Sequence, residues 1–154
     1  MVVLIDSREQ RGLRFQTDAI LTETRVVTLP VGDYGCEFID GHRPPLIFER
    51  KGLHDLFGTM TRGYPRFKRE LMKAKDLNLR LILLIEGTMA DVYAGVPQSS
   101  WDGDRCMQKI FTLWVRYGLQ PVFCASRSEM TAFIVETFEG LGRERMLQQQ
   151  KALR

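Results

Sequence analysis

Short apolar runs, none longer than five residues, recur along this chain and each breaks off at charged or turn-forming residues. Runs of that length are strand-sized, too short for self-standing helices and far too short to cross a membrane, so the chain must build a sheet. Val2 to Ile5 ends in Asp6-Ser7-Arg8-Glu9. Arg25 to Leu29 repeats the pattern and is closed by Pro30. Gly32-Asp33 turns into Tyr34 to Ile39, and Asp40-Gly41 separates that piece from Leu46 to Lys51, which predicts a β-meander. Leu79 to Ile85 and Pro121 to Ala125 are later strands.

Between the later strands the period changes to that of helices. Leu53 to Met60 and Pro65 to Leu77 are helical, the second with Pro65 in its first turn, where a missing N–H costs little. Ser99 or Ser100 is predicted to cap a helix with the apolar stripe Met107, Ile110, Phe111, Trp114 and Tyr117, stopped by Gly118. A last helix starts near Ser128 with Met130, Phe133, Ile134 and Phe138 inward. Beyond Gly142 the sequence is polar, giving an expected division into a domain over residues 1–142 and a C-terminal extension over 143–154. A meander followed by alternating helices and strands predicts an α/β fold, a central mixed sheet flanked by helices.

Composition closes off other classes. Apolar residues at 44% and charged residues at 27% exclude collagen-like, low-complexity and wholly disordered chains. Cys36, Cys106 and Cys124 are odd in number and widely spaced, so they read as buried thiols, with neither a disulfide framework nor a Cys-rich zinc site. Acidic and basic residues interrupt the N-terminus before a signal peptide's apolar region can form, which predicts an intracellular protein with no membrane partner.

The chemistry concentrates in Ile47-Phe48-Glu49-Arg50-Lys51. Strand alternation puts Glu49 and Lys51 on one face and Phe48 and Arg50 on the other. Asp33, after the glycine turn, can meet Glu49, and two carboxylates beside an ammonium make a hard-oxygen cation site. Mg²⁺ is the expected cofactor, with Mn²⁺ substituting, because it takes carboxylate and water ligands and leaves positions for a substrate phosphate. An Asp followed by Glu-x-Lys at a strand end is the general signature of restriction-endonuclease-like folds.

The surrounding residues sharpen this. Gly32-Asp33 followed by Glu49-Arg50-Lys51-Gly52-Leu53-His54-Asp55, with Asp6-Ser7-Arg8-Glu9 upstream, resembles the nuclease domain of the XPF family of structure-specific DNA endonucleases, marked by GD, ERKxxxD and DxRE motifs. The resemblance covers about residues 2–141 and includes Arg66 and Glu70 on the following helix. It implies metal ligation by Asp33, Glu49 and the Arg50 carbonyl, and a catalytic Lys51. It also implies direct or water-mediated metal contact by Asp6 and Glu9, and support from Arg8 and Asp55. Cleavage of branched, flap or junction DNA in repair or recombination is the expected activity, and pairing with a second nuclease-domain subunit, identical or not, is an expected partnership. A catalytically silent DNA-binding partner is the alternative, though every motif carboxylate is present; a Holliday-junction resolvase or restriction-type nuclease is another.

The net charge of +3 conceals a regional split. Residues 1–61 carry 7 basic and 9 acidic side chains, residues 62–80 carry 7 and 2, and residues 81–154 carry 8 and 8. The excess sits on one helix and its flanks, where Arg66, Arg69 and Lys73 form a stripe away from Phe67, Leu71 and Ala74, with Arg62 and Lys68 nearby. These five are the expected DNA-phosphate contacts.

Overall fold

The computed structural model of the protein describes residues 1–15 and 23–154. In chain order the elements are β1 (Val2–Asp6), β2 (Glu23–Val27), β3 (Tyr34–Glu37), β4 (Leu46–Gly52), α1 (Leu53–Met60), α2 (Tyr64–Asp76) and β5 (Arg80–Glu86). Then follow α3 (Met89–Ala94), α4 (Gly103–Tyr117), β6 (Gln120–Cys124) and α5 (Arg127–Ala152). The six strands form one mixed sheet in the order β2-β1-β3-β4-β5-β6. β1–β3 and β3–β4 are antiparallel; the other three pairs are parallel.

This order corrects the expected meander. β2 is not beside β3 but lies outside β1 and parallel to it, from Val2 opposite Glu23 to Asp6 opposite Val27. The reason is burial: Val3 and Leu4 are fully enclosed, so β1 belongs in the sheet interior, whereas Glu23 to Val26 are exposed and can only make an edge. The end of β1 fixes the exit of β2, with the Ser7 N–H donating to the Val27 carbonyl at 2.7 Å and the Leu29 N–H to Asp6 Oδ2 at 2.7 Å.

Alternation along the sheet splits the core into two layers. Ile47, Leu81, Leu83 and Ile85 pack beneath α1, α2, α3 and α4, against Leu56, Phe67, Val92 and Ile110 among others. Phe48, Ile82 and Leu84 point the other way, under Met130, Ile134 and Phe138 of α5. Phe48 meets Phe138 and Phe133 edge-on at centroid distances of 5.4 and 6.0 Å, an arrangement that adds to simple area burial. The three cysteines are buried and unpaired.

Three helix readings change. Asp102, not a serine, caps α4 by accepting from the Arg105 N–H at 2.9 Å. The buried stripe of α4 runs through Cys106, Met107, Ile110 and Leu113, which leaves Trp114 45% exposed; a turn toward Leu113 satisfies the sheet better than the aromatic stripe does. α3, unforeseen, is announced by a capping box: Thr88 and Asp91 bond each other's backbone N–H at 2.8 and 3.1 Å. Residues 143–152 continue α5 without a break. Among the described residues no helix is long and apolar enough to cross a membrane.

Candidate active site

The end of β4 is where apolar Ile47 gives way to Glu49 and Lys51 on the helix-covered face, and that switch opens a cleft between the sheet and α1–α2. The cleft, about 440 Å³, is bordered by Asp33, Glu49, Lys51, Arg8 and, from α2, Arg66 and Glu70. Asp33 is held from three sides. Its N–H donates to the Phe48 carbonyl at 2.8 Å, its carbonyl accepts from the Asp6 N–H at 2.8 Å, and its Oδ2 accepts from the Arg50 N–H at 2.8 Å. β1, β3 and β4 therefore converge on this one residue. Gly32 makes the approach possible: it sits at φ +72°, and a β-carbon there would collide with the Ile47 side chain.

Glu49 is buried, and Lys51 Nζ lies 2.7 Å from its Oε1 and 5.9 Å from the centre of the Phe67 ring. Burial, and then the charge of Glu49, push the Asp33 carboxyl up to about 7 even though the Arg50 N–H and Lys51 oppose it. Burial likewise raises Glu49, with Lys51 opposing and Glu70 and Glu9 adding. Burial would lower Lys51, but Glu49, Asp33 and Glu70 outweigh it and hold the ammonium charged. The pocket floor thus gathers more carboxylate than one lysine neutralises.

Asp6 and Glu9 are already engaged. The Asp6 side chain is almost wholly enclosed and takes a two-pronged ion pair from Arg8, at 2.7 Å from Nε and 3.1 Å from Nη2, besides the N–H groups of Arg8 and Leu29. Those bonds outweigh burial and keep Asp6 below the usual carboxylate range. Its oxygens, with the Leu29 carbonyl that accepts from Arg8 Nη2 at 3.0 Å, hold Arg8 at the border of the cleft. Glu9 borders the same strand end beside Arg50, and its carboxylate receives both Nε and Nη2 of Arg50 at 3.2 and 3.1 Å, the Arg11 N–H and the Tyr34 hydroxyl. Arg50 reaches Glu86 at 3.1 Å with its third nitrogen. As placed, neither Asp6 nor Glu9 turns a free oxygen toward Asp33 and Glu49.

Asp55 borders the cleft and pairs with no cation among the described residues, while Arg8, the other expected supporting residue, pairs with Asp6. Of the basic set, only Arg66 lines the cleft. Arg69 and Lys73 are exposed on the adjoining side of α2, Arg62 precedes the helix, and Lys68, two positions from Arg66, points elsewhere. The structure also assembles residues the sequence reading passed over. Glu86 joins Arg50 to Arg127 of α5, at 3.1 and 3.4 Å. Glu86 was findable, since it ends β5 as Lys51-Gly52 ends β4; Arg127, 41 residues further on, left no signal. His54 also borders the cleft.

Among the described residues, no three His, Cys, Asp or Glu side chains form a ready-made metal cage. The donor set still fits a hard divalent cation, because Mg²⁺ is commonly held by one or two carboxylates with water and substrate phosphate completing its shell. Asp33 and Glu49 supply the two carboxylates, crowded and short of positive charge.

A mixed sheet with helices on both faces, in which Asp33 at the entry to β3 meets Glu49 and Lys51 at the end of β4, defines a restriction-endonuclease-like domain. Residues 5–137 match the ERCC4 domain, and the chain belongs to that family, whose XPF-type motifs the sequence carries. XPF from Aeropyrum pernix has the same fold, with a TM-score of 0.67 at 19% identity over 98% of this chain and 69% of that one. XPF from Aeropyrum pernix in complex with DNA gives 0.65 at 19% identity, over 94% and 66%. A comparison with curated proteins yields no match.

Proposed function

We propose that this domain hydrolyses DNA phosphodiester bonds with Mg²⁺ or Mn²⁺, at branches, flaps or junctions, in DNA repair or recombination. The observation that carries the reading is the meeting of Asp33, Glu49 and Lys51 in one cleft with Arg66 on its far wall. Membership in the ERCC4 domain family and the DNA complex of a protein with the same fold support it.

Asp33, Glu49 and the Arg50 carbonyl would hold the cation, which supplies charge neutralisation and water activation. Lys51 directs its ammonium at the scissile phosphate and orients the attacking water while stabilising charge in the transition state. Arg8, fixed by Asp6, turns its free edge to the same phosphate, and Arg66 takes a neighbouring phosphate. Arg50 clamps the strand from behind through Glu9 and Glu86, so that its N–H keeps Asp33 in place.

Labelled flap, fork, four-way junction and linear duplex, each incubated with Mg²⁺ or with EDTA, test the proposal. Incision of the branched substrates only with metal is expected. Equal cutting of linear duplex would replace branch recognition by a restriction-type activity, and binding of every substrate with no incision would identify a silent partner.

A further inference from the structure

The carboxylates lie between two clefts, and the nuclease reading uses only one. The second, about 380 Å³, shares Arg8, Asp33, Glu49, Lys51 and Asp55 with the first and runs away from α2, past the paired Glu9 and Arg50, toward Gln10 and Arg11 in the loop after β1. Asp33 and Glu49 therefore sit midway along a continuous trough. We infer that Arg11, assisted by Gln10, binds a DNA backbone phosphate on the side of the carboxylates opposite to Arg66, so that the two arginines bracket the scissile bond. The inference rests on the nuclease reading and extends it to the path of the substrate strand.

The loop is built to present that side chain. The Arg11 N–H donates to Glu9 Oε1 at 2.9 Å. Arg127 Nη2 donates to the Arg11 and Gly12 carbonyls at 2.6 and 2.9 Å, and the Leu13 N–H donates to the Tyr34 hydroxyl oxygen at 2.9 Å. The backbone of residue 11 is thus fixed through both its polar groups, by α5 on one side and the β1 end on the other. Its side chain stays exposed and, among the described residues, pairs with no carboxylate. Glu9, which accepts the Arg11 N–H, is paired with Arg50. A free guanidinium on a pinned loop offers a planar, two-pronged donor suited to phosphate, and its backbone has little freedom left to lose on binding.

Binding measured by fluorescence anisotropy in EDTA across a salt series reads this without cleavage. Wild-type protein, Arg11→Ala, Arg11→Lys and Arg66→Ala are compared on the same junction DNA. Arg11→Ala and Arg66→Ala should each reduce the slope of log affinity against log salt by about 0.7 to 0.9, one phosphate contact, and Arg11→Lys should restore it. Substrates carrying one neutral methylphosphonate supply the position: Arg11→Ala should lose sensitivity to a phosphate on one side of the cut and Arg66→Ala on the other. An unchanged slope for Arg11→Ala, or both arginines mapping to the same side, overturns the inference. Loss of cleavage on Asp33→Ala judges the nuclease reading separately, whichever way the slopes fall.

Discussion

Replacing Asp33 by Asn should make the metal-free protein more stable, and increasingly so as pH rises. The carboxyl titrates at about 7 in the fold against 3.8 ordinarily, a rise of about 3 units caused by burial and by Glu49. Each unit is 1.36 kcal/mol, so holding Asp33 ionised at pH 8 opposes folding by about 4 kcal/mol at most, part of which relaxation of the site recovers. Between pH 3.8 and 7 the folded state binds a proton that the unfolded state has released, so stability falls with rising pH through this window and is level above it. The Asn side chain still accepts from the Arg50 N–H but carries no charge, so the variant escapes the fall. For a chain of this size 1 kcal/mol is about 2 to 4 °C in Tm, which puts the gain at up to about 8 to 16 °C at pH 8 and near zero at pH 3.5. Thermal unfolding in EDTA at four or five pH values checks this. A difference between variant and wild type that is constant with pH, or a less stable variant at pH 8, would refute the reasoning, because the cost would then not be one of charge.

Other expectations follow from the same geometry. Arg50→Ala strands Glu9, whose side chain is 8% exposed, and should destabilise by about 3 kcal/mol, read as a lowered denaturant midpoint with unchanged slope. Gly32→Ala combines a positive φ with a collision against Ile47 and should cost more than about 2 kcal/mol, detectable by the same titration; a neutral result would mean the turn can re-form. Mg²⁺ should raise the Tm of the wild type at pH 8 but not that of Asp33→Asn, and the effect should shrink below pH 7 as protons compete for Asp33.

Much of the site was legible because its residues are close in sequence to turns and strand ends that have few alternatives. Gly32-Asp33 must turn, Glu49 and Lys51 must share a face, and the structure brings them together. What escaped the sequence is what depends on pairing. Adjacency in sequence favours pairing β2 with β3, yet its exposed side chains make it an edge outside β1. A sequence does not say which cation will reach Asp6 and Glu9; in the fold Arg8 and Arg50 do. Arg127, more than a hundred residues from the loop it anchors, has no local pattern to betray it. Thr88 and Asp91, by contrast, carried a readable capping signal.

The central claim is that Asp33, Glu49 and Lys51 act together on a phosphodiester. Single-turnover cleavage of a labelled branched DNA in Mg²⁺, comparing wild type with folded Lys51→Ala and Asp33→Asn, tests it most directly. The account predicts that both variants bind the DNA and lose metal-dependent incision almost completely. Incision by both at the wild-type rate would contradict it.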